Sequence, residues 1–239
     1  MASSLASRFR PALVLGAWYV SLGLVLRALL WAVFGLEAGV APGQLGWILP
    51  AGLLADTVEA LYLLAPLALL GWLAPPRWSG SPALRRALLA GAFLFIFTTG
   101  FLAVAEYFFF EEFTARFNLV SVDYLLYPTE VIGDIRSEYP VLPIAVAMAA
   151  LALGVTLALR RILLAGQAAE PGFSARTRAF AVYGLVVACA AATFETSAVS
   201  HSTDRVANEL AANGVSSFFR ALRSSEIDHH AYYATRSRE

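Results

Sequence analysis

Five apolar runs of helical length divide the chain, at about 11–34, 46–74, 84–110, 141–164 and 178–199, with clusters of Pro, Gly or charged residues between them. Each can cross a hydrocarbon core, which takes about 20 helical residues. The first run follows Arg8 and Arg10, and Gly39-Val40-Ala41 offers the small residues of a cleavage site. It is nevertheless too long for a secretory h-region and carries Arg27, so it reads as a retained first span.

The longest polar interruption is Glu106 to Pro140, EYFFFEEFTARFNLVSVDYLLYPTEVIGDIRSEYP. Besides Glu106 it holds the carboxylates Glu111, Glu112, Asp123, Glu130, Asp134 and Glu138, with Arg116 and Arg136 and many aromatics. This is too apolar for a solvated linker and too charged for a span. Phe117, Val120, Tyr124 and Tyr127 or Val131 recur at steps of three and four, which predicts amphipathic helix lying in the outer interface. Pro128 divides it in two, because proline disfavours helix at the residue before it. Pro140 and Pro143 then open the fourth span. In the tail from Ser202 to Ile227, Val206, Leu210, Phe218 and Leu222 share one helical stripe opposite Arg205, Glu209, Arg220 and Arg223. Asn213-Gly214 predicts a break there, giving two amphipathic pieces on the outer surface with Arg220 and Arg223 near lipid phosphates.

The expected fold class is therefore all-α: a polytopic membrane protein of five transmembrane helices plus amphipathic interfacial helices on the outer side. The membrane domain covers 1–199, including the interface helices at about 112–138, and 200–239 is juxtamembrane helix and tail. Composition supports the class, since 59% hydrophobic and 14% charged residues with a mean hydropathy of +0.67 leave too little polar surface to coat a soluble globule. The net charge is zero and all 17 basic residues are Arg, so no basic face argues for nucleic acid. The lone Cys189 excludes a disulfide framework and a thiolate metal cluster.

Arginine placement sets the expected orientation, because short cytoplasmic loops are enriched in basic residues. Arg8 and Arg10, then Arg77, Arg85 and Arg86, then Arg160, Arg161, Arg176 and Arg178 fall on one side. The alternate loops are poor in them. The N-terminus is expected inside a bacterial cytoplasmic membrane, with 106–140 and the tail from Ser200 outside.

Ionisable groups within spans are costly and face a partner or a cavity. Arg27, seven residues before Phe34, and Asp56, nine after Trp47, come out at matching depths, about 10–14 Å below the outer surface. Asp56 and Glu59 share a helix face, so one arginine can neutralise either. A structural ion pair between Arg27 and Asp56 is the preferred reading over a headgroup pocket formed by Asp56 and Glu59. Glu106 and Glu195, near the outer ends of spans three and five, are read as interface carboxylates in contact with water, with a headgroup site as the rival. His201 is isolated, and the adjacent His229-His230 point apart on a helix, which disfavours a shared metal. No glycine-rich phosphate loop, HExxH or GxSxG pattern occurs.

Two segments carry a family likeness. FFFEEFTARFNLVSVDYLLYPTEVIGDIRSEYP, above all RFN followed by VDYLLY and EVIG, together with NELAANGVSSFFRALRSSEID, resembles the membrane domain of the lipoteichoic acid synthase and phosphoglycerol transferase family, within the sulfatase-like alkaline phosphatase superfamily. GLLADTVEALYLLAPLALL is similar to that family's second span. The likeness covers most of residues 45–230 and implies the same five-span, C-terminus-out topology. It implies that Asn118, Asp123, Tyr124, Tyr127 and Glu130 belong to an outer-interface motif, and that Asp56 and Glu106 occupy polar membrane positions. Family catalysis resides in a large extracytoplasmic domain, where a threonine nucleophile and a divalent metal, typically manganese, transfer a phosphoglycerol-type group from a lipid donor. This chain carries no matching nucleophile or ligand set, so no catalytic, cofactor or metal residue is assigned to it.

The expected function is thus membrane anchoring and presentation of a lipid, with anionic phospholipid as the implied partner, to a sulfatase-like ectodomain that transfers phosphoglycerol or phosphoethanolamine. The rival is a catalytically empty accessory subunit of a larger membrane complex, whose exposed aromatics Tyr107 to Phe110 would meet other protein subunits.

Overall fold

The structure, a computed structural model, describes residues 2–126, 128–165, 171–193 and 201–224; Tyr127, Glu195 and His229-His230 lie outside the described residues, as does the side chain of Glu130. Among the described residues it is all-helical, with no strand. Helix α1 (Ala2–Leu30) runs on through a single π turn at Trp31–Gly35. Then follow α2 (Leu45–Leu63), α3 (Ala65–Leu73), α4 (Pro82–Phe113), α5 (Leu119–Leu126), α6 (Pro128–Glu138), α7 (Val141–Leu164), α8 (Phe173–Thr193), α9 (Arg205–Ala211) and α10 (Gly214–Ser224).

Four helices, Ser7–Gly35, Pro82–Phe113, Val141–Leu164 and Phe173–Thr193, are long and apolar enough to cross a membrane. The number rises to five if the bent pair Pro42–Leu63 and Ala65–Leu73 is one span. The second apolar run, at about 46–74, reads as a single helix-length span. Instead its two halves meet at 45°, because Pro66 has no amide to donate and crowds the turn before it. Leu13, Val25, Leu94, Leu142, Val146, Val182 and Leu185 are exposed along these helices. Side chains of this kind pointing outward from every long helix suit a hydrocarbon surround and would be costly in water.

Helix α1 is central, packing on α2, α3, α4, α7, α8 and α9. One apolar cluster, built on Leu15, Tyr19, Leu64, Ala92, Ile96 and Leu163, fills the half of the bundle near the start of α1. A second, built on Leu26, Leu30, Ile48, Phe110 and Leu210, fills the other end and takes in the tail helix α9. Tyr107 to Phe110 are accordingly not a free aromatic face: Phe110 is fully buried beneath that cluster and Phe109 is nearly so.

Two expectations for the loops and tail change. Arg176 is not a loop charge: α8 begins at Phe173, and Arg176 in its first turn is buried, donating Nη1 to the carbonyls of Trp72 (3.1 Å) and Ala74 (2.8 Å). Arg8 reaches the same helix end, donating Nε to Gly71 O at 2.7 Å and Nη2 to Ala74 O. The last carbonyls of α3 have no intrahelical partner, and these guanidinium groups supply one. The tail is the second change. Its two helices break at Ala212-Asn213, but α9 does not lie on the surface: Ala207, Leu210 and Ala211 are completely buried. An apolar face of Ala207, Leu210 and Ala211, with only Leu210 bulky, lets it sink between α1, α2 and the π turn.

Arg176→Ala should leave the Trp72 carbonyl without its arginine donor and Ala74 O with Arg8 alone, and cost about 1–3 kcal/mol, seen as a lower melting temperature of the detergent-solubilised protein. Arg161→Ala, at an exposed position of α7, should change it little; equal effects would remove the capping role.

Candidate functional site

The polar groups inside the bundle gather where α9 ends. Arg27 on α1 and Asp56 on α2 are each 1% exposed and form a two-pronged pair, Nη1 to Oδ2 at 2.7 Å and Nη2 to Oδ1 at 3.1 Å. The remaining donors of Arg27 go to backbone: Nε to Leu210 O at 2.8 Å, Nη2 to Ala212 O at 3.2 Å and Nη1 to Gly23 O at 3.4 Å. All five guanidinium hydrogens are therefore engaged. A buried arginine so saturated can stay charged in an apolar bundle, whereas a bare one would not.

The turn after α4 delivers a second arginine to the same place. Thr114 ends α4 in the left-handed conformation, φ 49°, and the chain folds back so that Arg116, 2% exposed, points into the bundle. Its Nη1 meets Glu106 Oε1 at 2.6 Å, its Nη2 donates to Leu210 O at 3.3 Å and its Nε to Glu209 O at 3.1 Å. The Glu209 carboxylate in turn accepts the backbone N–H of Arg116 at 2.8 Å. Leu210 O is thus shared by two arginines, one on α1 and one in the turn after α4. Glu106 was expected to meet water, but it is 7% exposed, because the fold-back after Thr114 supplies a cation ten residues on.

Asn213 joins the Arg27–Asp56 pair to α10. Its Oδ1 accepts the N–H of Ser216 at 3.0 Å, capping that helix, while its Nδ2 donates to Asp56 Oδ1 at 2.8 Å and to the Tyr19 hydroxyl at 3.1 Å. Ser216 Oγ donates to Glu59 Oε2 at 2.5 Å. The near end of α9 is held equally firmly, with Asp204 Oδ1 accepting from Val206 N and Ala207 N. Glycines provide the space: a Cβ at Gly52 would overlap the Arg27 guanidinium, one at Gly23 the Asp56 carboxylate and one at Gly214 the Glu106 carboxylate.

Two cavities flank this network. A small one of about 150 Å³ is lined by Tyr19, Asp56, Glu106, Arg116 and Asn213 among apolar neighbours. Its charged side chains already have partners, Glu106 and Arg116 in each other and Asp56 in Arg27. A larger groove of about 790 Å³ lies between α4, α5, α6, α7 and α10, floored by Phe101, Phe108, Phe109, Val141 and Ile144 and edged by Glu112, Asp134 and Glu138. The two share a wall at Leu102 and Val215.

The other residues singled out from sequence are dispersed. Asn118 caps α5, its Oδ1 accepting Val120 N at 2.9 Å. Asp123 is exposed and lines neither cavity. Tyr124 lines the groove beside Phe109, and its pKa is raised by burial and then by Glu112 and Asp134. Arg116, Tyr19, Glu209, Asn213 and Ser216 were not among the candidates, because their partners stand far away in the chain and no local pattern marks such pairing. The Asn213-Gly214 break was the one available signal. Among the described residues no group of three or more His, Cys, Asp or Glu side chains is placed to hold a metal ion, so no step is assigned to one here.

Comparisons with protein-family models, with curated proteins and with solved structures return no match.

Removing one partner of a buried pair strands the other, so Arg27→Met should cost about 3–5 kcal/mol. The double variant Arg27→Met/Asp56→Leu should recover part of that loss in a thermal-melt cycle; strict additivity would mean the two do not interact. Gly214→Ala should also destabilise, by displacing Glu106 from Arg116. Gly133→Ala in open space on α6 should be neutral or stabilise by up to about 1 kcal/mol.

Proposed function

We propose that this chain is the five-span membrane domain of a lipoteichoic acid synthase-like transferase, lying in a bacterial cytoplasmic membrane with its N-terminus inside. In this reading α2 and α3 form one bent span, and α5 and α6 lie along the outer interface. The work of the domain is to hold a catalytic unit outside the membrane at a fixed place beside a bound lipid. One observation carries this reading. The segment Arg205–Ser224 follows the last apolar run, where a plain anchor would have a loose tether, yet it is built into the bundle through Arg27, Arg116, Asp56 and Glu59.

Such a lock has a use when what adjoins α10 must keep its position relative to the lipid surface, since small misplacements of a reacting group are expensive in rate. The groove next to α10 supports the lipid half of the proposal: it is lined by residues of the long apolar helices and, beyond them, by Glu112, Asp134 and Glu138. The metal and the nucleophile of the reaction would belong to the catalytic unit, whether it is joined to this chain or separate. The accessory-subunit reading shares the lock and differs in the chemistry of what it holds.

Protein purified from its native membrane in mild detergent, identified by intact mass, separates the two. The transferase reading expects an attached or co-purifying extramembrane unit that releases diacylglycerol from a glycerophospholipid when a divalent cation is supplied. Arg116→Gln, which loosens the tail, should lower that release about tenfold or more. Intact partners that lack any such phosphotransfer would leave the accessory subunit as the function.

A further inference from the structure

The groove is apolar at one end and acidic at the other. From Phe101 to Glu112 its lining advances eleven residues along α4, about 16 Å at helical rise. Its inner part is walled by Phe101, Leu102, Val104 and Ala105 of α4 and by Val141 and Ile144 of α7. These belong to two of the helices that are apolar and long enough to span a membrane. With 32 residues, α4 is about 48 Å long and exceeds a hydrocarbon core of about 30 Å, so its end carries Glu112 to the level of headgroups.

Charge at the edge is of one sign. Glu112, Asp134 and Glu138 line the groove, and among the described residues no basic side chain does so. Arg136 stands on α6 between the last two but is exposed and outside the lining, and Arg116 is consumed by Glu106. The aromatic rings between the carboxylates, Phe108 packed on Tyr139 at 4.6 Å and Phe109 on Phe113 at 4.6 Å, offer faces that attract a cation. Tyr139 registers the same field: its phenol is pushed above its ordinary pKa by desolvation and then by Glu111, Glu112 and Glu138.

We propose that the groove holds a single membrane lipid whose headgroup carries a cationic amine, with its acyl chains against Phe101 to Ala105 and its amine among Glu112, Asp134 and Glu138. The inference deepens the lipid-presenting reading and rests on it for the orientation in the membrane. It also turns the anionic phospholipid implied by the family likeness into the disfavoured ligand. A groove of about 790 Å³ is within the roughly 300–1,000 Å³ of pockets that enclose most of a small molecule. Like charge at its mouth works against an anionic headgroup more strongly than opposite charge favours an amine.

The test is retention of defined lipids by the full chain, read by native mass spectrometry after incubation with equal amounts of dioleoyl phosphatidylethanolamine and dioleoyl phosphatidylglycerol. Exposed ion pairs are individually weak, so the expected preference for the ethanolamine lipid is modest, about fivefold. Glu112→Gln/Asp134→Asn/Glu138→Gln should bring the ratio close to one while total retention stays. Asp134→Asn alone should reduce the ratio and Asp123→Asn, outside the groove, should not. Ala105→Trp, which fills the inner part, should lower retention of both lipids.

Equal or greater retention of phosphatidylglycerol by the unsubstituted protein would overturn the proposal. So would a ratio that ignores the triple variant, retention that ignores Ala105→Trp, or a dimer mass with no bound lipid, which would make the groove a contact between copies. None of these outcomes bears on whether a phosphotransferase accompanies the chain, because that is read from diacylglycerol release.

Discussion

A guanidinium has five hydrogens to place and no means of shedding its charge, and the half of this bundle that takes in α9 is organised around satisfying two such groups. Arg27 and Arg116 enter an apolar interior from α1 and from the turn after α4. Each takes one carboxylate, Asp56 and Glu106, and still has donors left over. Helix α9 supplies what is missing: the last carbonyls of a helix have no intrahelical partners and carry the negative end of its dipole. Two deficits of opposite kind cancel at Leu210 O, which accepts from both arginines. The tail is therefore a structural member of the bundle, and the ion pairs without it would be half-satisfied.

The same solution recurs at the other end. There the carbonyls that end α3 receive Arg8 from α1 and Arg176 from α8. In an environment where water is scarce, arginine is well suited to this task because its planar fork reaches several acceptors at once from one long stem. A composition without lysine thus matches the use to which the buried cations are put, and charge within the bundle is spent on closing helix ends. This also explains why the loops are less basic than a reading of the arginines along the chain suggests: Arg176 stands in the first turn of a helix with its charge inside the protein.

Much of the helical framework was legible because hydrophobic length is a local property. The apolar runs became long helices, Pro128 separated α5 from α6, and Asn213-Gly214 marked the passage from α9 to α10. The bend at Leu64 was readable in principle from Pro66. Long-range pairing was less legible. Matching depths brought Arg27 and Asp56 together on paper because both spans could be measured from one surface. Glu106 offered no such ruler, since its partner Arg116 lies at the edge of a segment whose periodicity suggested helices lying in the interface. What decided that case was a single residue, Thr114, adopting a backbone conformation that a sequence pattern does not announce. The polar stripe of α9 misled for a related reason. Glu209 looked like a solvent-facing charge, whereas its carboxylate binds a backbone N–H inside the protein.

The two cavities differ in how their charged side chains are partnered, although they share a wall. In the smaller one, Asp56, Glu106 and Arg116 are neutralised by fixed partners, so a ligand entering it would have to replace hydrogen bonds already made at good geometry. In the groove, Glu112, Asp134 and Glu138 face open space with no cation among the described lining residues. Leu102 and Val215 separate the two, and Val215 lies two residues beyond Asn213, the side chain that caps α10 and holds Asp56. The wall of the groove is thus positioned by the ion-pair network behind it. Because packed interiors transmit displacement instead of absorbing it, the shape that Val215, Phe218 and Phe219 give the groove depends on charges that do not line it.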